Sequence, residues 1–86
     1  MRKTGEFTMH RIYVGIVVQF DTEGKITPLW IVWSNGRKYE IDRILSTRII
    51  PSLRAGANGY LFQVRILGQE RVLGYDGRRW YIEVVD

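Results

Sequence analysis

Arginine and tyrosine alternate at two places where the sequence also alternates like a β-strand. Arg11 and Tyr13 form one pair, and Arg79 and Tyr81 form the other. Alternate residues of a strand share a face, so each pair would be presented together, with Arg65 on the same side of a third strand. Small barrels that bind single-stranded nucleic acid combine arginines with stacking aromatics in this way. These five residues are candidates for a nucleic-acid interface; the alternative is a solvated β-surface held by cation–π and cross-strand pairs.

The residue types that most enzymes and metal sites require are scarce. The chain has no cysteine, which excludes disulfides, thiolate metal ligands and cysteine nucleophiles, and His10 is its single histidine. Glu40 and Asp42 share one face of a strand and could serve acid–base chemistry or hold a cation. Lys38 and Arg43 lie beside them and favour surface ion pairs instead. We expect a protein that is not an enzyme and that uses no metal or cofactor.

A second surface is predicted from the turn at Asn35-Gly36. Asn-Gly between two strand-like runs is the strongest short-range signal for a two-residue type I′ turn, because both central residues must take positive φ. Such a turn pairs Ile31 with Glu40 and Trp30 with Ile41. The core face of this hairpin is then predicted to carry Trp30, Val32, Tyr39 and Ile41.

The opposite face of the same hairpin carries Leu29, Ile31 and Trp33 beside charged residues of the next strand. An apolar stripe of this kind either packs under another part of the chain or binds a partner. One interpretation is that the N-terminal segment covers it, with Phe7 and Met9 as the covering side chains. The other is that the stripe is a surface for a protein partner or for a homodimer, with these three residues as its contacts.

The longest predicted loop, residues 52–59, adds two further interaction candidates. It contains two glycines and an asparagine that mark turns, and it presents Leu53 and Arg54. It lacks the strand–loop–helix context of a phosphate-binding loop. Loops carried by a rigid scaffold often make binding contacts, so Leu53 and Arg54 join the interaction candidates.

The elements that position these residues are short strands separated by turn residues, which is an all-β pattern. The phase of the third strand breaks near residues 43–45, which predicts a β-bulge or a sharp bend there. Six curved strands joined by short turns predict an antiparallel meander that closes into a small SH3-like barrel, with an OB-like barrel as the alternative. The predicted strands are residues 11–21, 26–33, 37–50, 60–67, 70–75 and 79–85.

Length, charge and hydropathy bound the remaining questions. The 86 residues predict one domain over residues 8–86, after a flexible N-terminal segment at residues 1–7. Thirteen basic against nine acidic residues give a net charge of +4, which permits nucleic-acid binding without arguing strongly for it. No apolar run resembles a signal peptide or reaches the roughly 20 residues of a membrane-spanning helix. We expect a cytoplasmic protein with no membrane partner.

Three separated blocks of the sequence resemble a known family. The run Gly-Arg-Lys-Tyr-Glu-Ile-Asp-Arg-Ile-Leu at residues 36–45 follows an aromatic residue, Ser-Leu-Arg-Ala-Gly stands at residues 52–56, and Tyr-Asp-Gly-Arg-Arg-Trp-Tyr at residues 75–81. In these blocks the chain resembles a family of short, uncharacterised bacterial proteins, mainly from Firmicutes. The resemblance implies an all-β domain and names no activity.

Two functional hypotheses follow from the residues. The first is a small non-enzymatic protein-interaction or accessory module that uses the apolar stripe and the loop at residues 52–59. The alternative is a nucleic-acid-binding barrel that uses the arginine–tyrosine face. The first is preferred, because a stripe of large apolar side chains needs more explanation than a charge of +4.

Overall fold

The computed structural model describes residues 9–51 and 58–85, and every regular element among them is a β-strand. The all-β prediction is therefore confirmed. Seven strands replace the predicted six, because the third predicted strand is divided into two. In chain order they are β1 (Met9–Phe20), β2 (Ile26–Val32), β3 (Lys38–Glu40), β4 (Arg43–Pro51), β5 (Asn58–Ile66), β6 (Gln69–Tyr75) and β7 (Trp80–Val85).

The strands form one antiparallel sheet in the order β3-β2-β1-β7-β6-β5-β4. Every pair of neighbouring strands is consecutive in the chain except β1 and β7, the first and last strands, which also pair. β3 and β4 lie at opposite ends of this order and are consecutive in the chain, so the sheet coils into a half-barrel. This architecture confirms the predicted small barrel-like fold.

At two places the chain passes from one half of the coiled sheet to the other. Residues 9–14 of β1 pair with β7, whereas residues 15–20 pair with β2. The chain crosses in the same way between Ile41, whose N–H donates to the carbonyl of Leu29, and Asp42, whose N–H donates to the carbonyl of Arg65, each at 2.9 Å. Just beyond, Leu45 is an extra residue in a β-bulge, which confirms the bend predicted near residues 43–45.

The core fills the inside of the half-barrel from both sheet halves. Phe62, Val64 and Leu73 are fully buried, as the strict alternation of their strands requires. Trp80 stacks on Tyr75 with the ring centroids 4.7 Å apart, and on Phe62 at 5.7 Å. Large aromatics bury the most apolar area per residue, which is how a chain of this length assembles a core. In β1, alternation predicts Ile12, Val14, Ile16, Val18 and Phe20 on one side of the strand. Val14, Ile16 and Val18 pack against this cluster, whereas Ile12 and Phe20 are exposed.

The predicted register of the β2–β3 hairpin is wrong by one residue. Ile31 pairs with Tyr39 rather than with Glu40, and the N–H of Trp33 donates to the carbonyl of Arg37. The loop therefore contains three residues, 34–36, and among them only Gly36 has positive φ, in the left-handed position. A shift of one residue turns side chains to the other face of a strand. Ile31 is therefore 3% exposed in the core, and Trp30 is 37% exposed outside it.

A two-residue turn of the type predicted for Asn35-Gly36 occurs instead between β5 and β6. Leu67 and Gly68 both have positive φ, at 51° and 76°, as a type I′ turn requires. Ile66 faces Gln69 across this turn. Leucine gives no sequence signal for this conformation.

In the hairpin between β6 and β7, a two-residue turn at Asp76-Gly77 would place Glu70 opposite Glu83. The sequence therefore predicts a one-residue bulge that sets Trp80 near Val72 and Arg71 near Tyr81 and Glu83. The structure keeps the two glutamates apart, but by a different register. Glu83 faces Val72 rather than Glu70, which avoids placing two like charges directly opposite each other. The expected pairing of Trp80 with Val72 is wrong, because Trp80 faces Tyr75. The carboxylate of Asp76 accepts N–H bonds from Arg78 at 2.9 Å and from Arg79 at 2.7 Å, which fixes this turn.

Some predictions fall on residues 1–8, 52–57 or 86, which lie outside the described part of the chain. They concern the flexible segment at residues 1–7, the cover by Phe7, and the loop candidates Leu53 and Arg54. They stay predictions.

Candidate functional site

Four of the five nucleic-acid candidates meet on the outer face of the β1–β7 pair. Tyr13 and Tyr81 face each other across the two strands, with ring centroids 6.0 Å apart in an edge-to-face arrangement. The guanidinium carbon of Arg79 lies 3.7 Å from the ring centre of Tyr13, and that of Arg11 lies 4.2 Å from the ring centre of Tyr81. We call these four residues the Arg–Tyr ladder.

Arg65, the fifth candidate, is not part of the ladder. It lies on β5, where it faces Glu70 and forms an ion pair with that carboxylate at 3.8 Å. Strand spacings place it about 16 Å from Tyr81, two strands away and four residues further along. The five predicted residues therefore do not form a single patch.

The ladder is built largely as internal packing. Tyr81 is only 5% exposed, because its ring lies over the backbone of Gly74 on the neighbouring strand, where a Cβ would overlap it. Burial raises the pKa of its phenol. Tyr13 is 42% exposed, but Arg79 covers one face of its ring. The tyrosines thus offer little free ring surface on which a base could stack.

Acidic groups lie close to both arginines of the ladder. Glu83 faces Arg11 across the strands, and Asp76 begins the turn that leads to Arg79 and accepts a hydrogen bond from its backbone N–H. A hydrogen bond with Tyr13 raises the pKa of the Arg11 side chain, and the charge of Glu83 contributes in the same direction. A cavity of about 240 Å³ beside the ladder is lined by both of these carboxylates. The local field is mixed rather than strongly positive.

The predicted apolar stripe is divided by the corrected register. Ile31 lies in the core, Trp33 is half-buried and packs against the core, and Leu29 is exposed as the extra residue of a bulge in β2. The prediction that these three side chains share a face turned away from the core is therefore wrong. The outer face carries Val17 and Trp30 instead, which are partners across β1 and β2.

Ile31 and Trp33 instead contribute to an open groove of about 550 Å³ on the inner side of the half-barrel. Tyr39 completes this wall of the groove, and Ile82 and Val84 of β7 also line it. The other wall comes from β5, β6 and their turn, through Ile66, Leu67, Gln69 and Arg71. A concave, mainly apolar site with a few polar groups is the usual form of a ligand-binding site.

Sequence reasoning overlooked Leu67 and Arg71 at the rim of this groove. The turn at Leu67-Gly68 pairs Arg71 with Val64, whose side chain is inward, and no signal in the sequence places the turn at those two residues. Arg71 was instead expected near Tyr81 and Glu83. No signal marked Leu67, because leucine seldom takes a left-handed conformation.

Several other properties belong to the described residues alone. They contain no group of three or more histidine, aspartate or glutamate side chains placed to hold a metal ion. None of them forms a helix long and apolar enough to cross a membrane.

A scan against models of protein families found none that matches this chain, and searches of curated proteins and of solved structures found no match. The resemblance to the short bacterial family stays a prediction.

Proposed function

We propose that this barrel is a small, non-enzymatic, cytoplasmic binding module whose groove takes apolar side chains from a segment of a partner protein. The observation that carries the proposal is the groove of about 550 Å³ with Trp33 and Tyr39 on one wall. Half-buried aromatic side chains give large contact areas at a low cost in conformational entropy, so they are common in binding sites.

The rim of the groove supports the same function. Leu67 is 76% exposed although it is a large apolar residue, and its φ of 51° is uncommon for any residue other than glycine. Both features disfavour leucine at this position in a free protein. Backbone conformations of this kind are often found at binding sites, where the function outweighs the strain.

The chemistry of the lining also supports binding rather than catalysis. The described residues that line the groove include no carboxylate, histidine, lysine, serine or threonine. These are the side chains that most often act as catalytic acids, bases or nucleophiles. Tyr39 and Arg71 are its ionisable side chains, and they suit recognition.

A titration of the ¹⁵N-labelled full chain with the peptide acetyl-Ile-Ser-Val-Ser-Glu-amide tests this function. Alternate side chains of an extended peptide point the same way, so the two apolar side chains can enter the groove together. We expect amide shifts to cluster at Ile31, Trp33, Ile82 and Val84. Shifts confined to other surfaces, or none at millimolar peptide, would refute the proposal.

Two tryptophans on β2 and its turn provide a matched pair of variants. Trp33→Leu removes an aromatic side chain from the groove, and Trp30→Leu removes one from the outer face of the same hairpin. We expect only Trp33→Leu to weaken peptide binding severalfold. Equal effects of the two changes would contradict binding in the groove.

A second candidate function is binding to single-stranded nucleic acid, and the Arg–Tyr ladder is the observation that favours it. A guanidinium stacked on a ring keeps its edge N–H groups free, and arginine binds phosphate through them in a bidentate manner. Within the described residues, the ion pairs do not include Arg11 or Arg79. The small free ring surface and the nearby acids place this function second.

Fluorescence anisotropy with mixed-sequence single-stranded DNA and RNA tests this second function. Arg11→Ala and Arg79→Ala should each lower the affinity and reduce the slope of log K against log salt by about one. Arg65→Ala is the matched control, because Arg65 lies outside the ladder and pairs with Glu70. Equal losses in all three variants would mean that the ladder is not a specific contact surface.

A further inference from the structure

Arg71 occupies a strand position at which an apolar residue is expected. It faces Val64, which is fully buried, and it stands two residues before Leu73, which is also fully buried. Side chains that face each other, or that alternate along one strand, share a side of the sheet. Arg71 is therefore on the inner side of the half-barrel, where it lines the groove at the exposed rim.

The described residues of the groove offer this cation no charge partner. Among them Arg71 is the single charged residue, and its guanidinium donates one hydrogen bond of 2.8 Å to the Oε1 atom of Gln69. In the described part of the chain, no carboxylate forms an ion pair with it. Gln69 holds the guanidinium in place at the groove while most of its five N–H donors stay free.

We propose that Arg71 binds a carboxylate of the ligand, so that the partner segment is an extended apolar stretch carrying one glutamate or aspartate. The inference rests on the proposed function and specifies its ligand. Charge complementarity carries it: an apolar groove with one preoriented cation, in a chain of net charge +4, selects an apolar segment with a negative group.

We assign the carboxylate to a side chain rather than to the C-terminus of the ligand. The groove is open to solvent, so a bound chain can continue beyond it. In an extended segment, alternate residues face the groove, and a carboxylate can follow two apolar side chains at that spacing. The planar guanidinium matches a carboxylate through two parallel hydrogen bonds, a geometry that lysine or glutamine cannot reproduce.

The test compares two peptides on the full chain: acetyl-Ile-Ser-Val-Ser-Glu-amide and its counterpart ending in Gln-amide. The two differ in one charge and have nearly the same size. Both should shift the amides of Trp33 and Val84, and the glutamate peptide should bind about fivefold more tightly at low salt. That preference should shrink as the salt concentration rises, because the pair is exposed to solvent.

Two arginine variants identify the cation responsible. Arg71→Gln should remove the preference for the glutamate peptide, so that this variant binds the two peptides equally. Arg48→Gln is the matched control, since Arg48 is exposed on β4 and faces Leu61 on the outer side of the same sheet. It should leave both affinities and the preference unchanged.

The outcomes separate failure of this inference from failure of the proposed function. Equal binding of the two peptides in the groove would overturn the role of Arg71 and keep the function. Absence of groove shifts with either peptide would overturn both. The chain's own Glu6 and Phe7 have the same chemistry as the proposed ligand. If a Glu6→Gln variant binds the glutamate peptide much more tightly than the unaltered chain does, the groove binds that segment of its own chain. This result would overturn the proposal of a separate partner protein.

Discussion

Replacing Leu67 with asparagine should make the barrel more stable while weakening binding in the groove. Leu67 and Gly68 form the two central residues of the β5–β6 turn, both with positive φ. A left-handed conformation costs an ordinary L-residue roughly 1–2 kcal/mol, whereas asparagine adopts it more readily. The change therefore produces the Asn-Gly pair that this turn geometry favours.

Loss of the buried part of the Leu67 side chain opposes this gain in stability. With 76% of it exposed, about a quarter of the side chain is buried. Full burial of a leucine contributes about 1.5–3 kcal/mol, so removal costs about 0.4–0.7 kcal/mol here. If asparagine recovers about 1 kcal/mol of the backbone cost, the net stabilisation is about 0.5 kcal/mol, or about 2–4 °C in Tm for a domain of this size.

Leu67→Ala is the control for this argument, because alanine keeps the unfavourable backbone conformation and loses the same contact. It should be destabilised by about 0.5 kcal/mol, so the two variants should differ by roughly 1 kcal/mol in the free energy of unfolding. Urea denaturation followed by tryptophan fluorescence measures this difference. If Leu67→Asn is no more stable than Leu67→Ala, the backbone of this turn is not strained by leucine and the reasoning fails.

Three further changes test the core, the outer face and a turn. Leu73→Ala should lower the free energy of unfolding by about 2–5 kcal/mol, because Leu73 is fully buried, and urea denaturation should show it. Gly74→Ala should cost about 1–3 kcal/mol, because the new Cβ would overlap the Tyr81 ring; unchanged aromatic NMR shifts of Tyr81 would contradict this packing. Backbone N–H bonds from Arg79 and Arg78 lower the pKa of Asp76 below its ordinary 3.8. Its contribution to stability is thus present above that pH and lost as pH falls further, so Asp76→Asn should flatten the acid limb of urea midpoints measured from pH 5 to 2.

Local patterns predicted the elements and much of the core. In β5, alternation predicts Tyr60, Phe62, Val64 and Ile66 on the inner side. Phe62 and Val64 are buried, and Tyr60 and Ile66 pack against the core. The bulge at Leu45 followed from a break in the same alternation. These features depend on residues close together in the chain, where the two-residue period of a strand leaves few alternatives.

The β2–β3 hairpin shows where this reasoning fails. Asn-Gly is compatible with a two-residue turn and with a three-residue loop in which Gly36 alone is left-handed, and the two differ by one residue in register. Packing of Ile31 against the rest of the core accompanies the second register. In this register the predicted apolar stripe does not form, and Ile31 and Trp33 line the groove instead.

The sequence alone was enough to predict an all-β chain with alternating strands and a bend in the third predicted strand. It also predicted that the Arg11–Tyr13 and Arg79–Tyr81 pairs lie on the side of the sheet away from the core. Those properties follow from composition and from the period of a strand. The tertiary structure was needed to place Arg11 and Arg79 over the rings of Tyr81 and Tyr13, and to place Arg71 in the lining of an apolar groove. These contacts join strands far apart in the chain, and their register is set by the packing of the whole barrel.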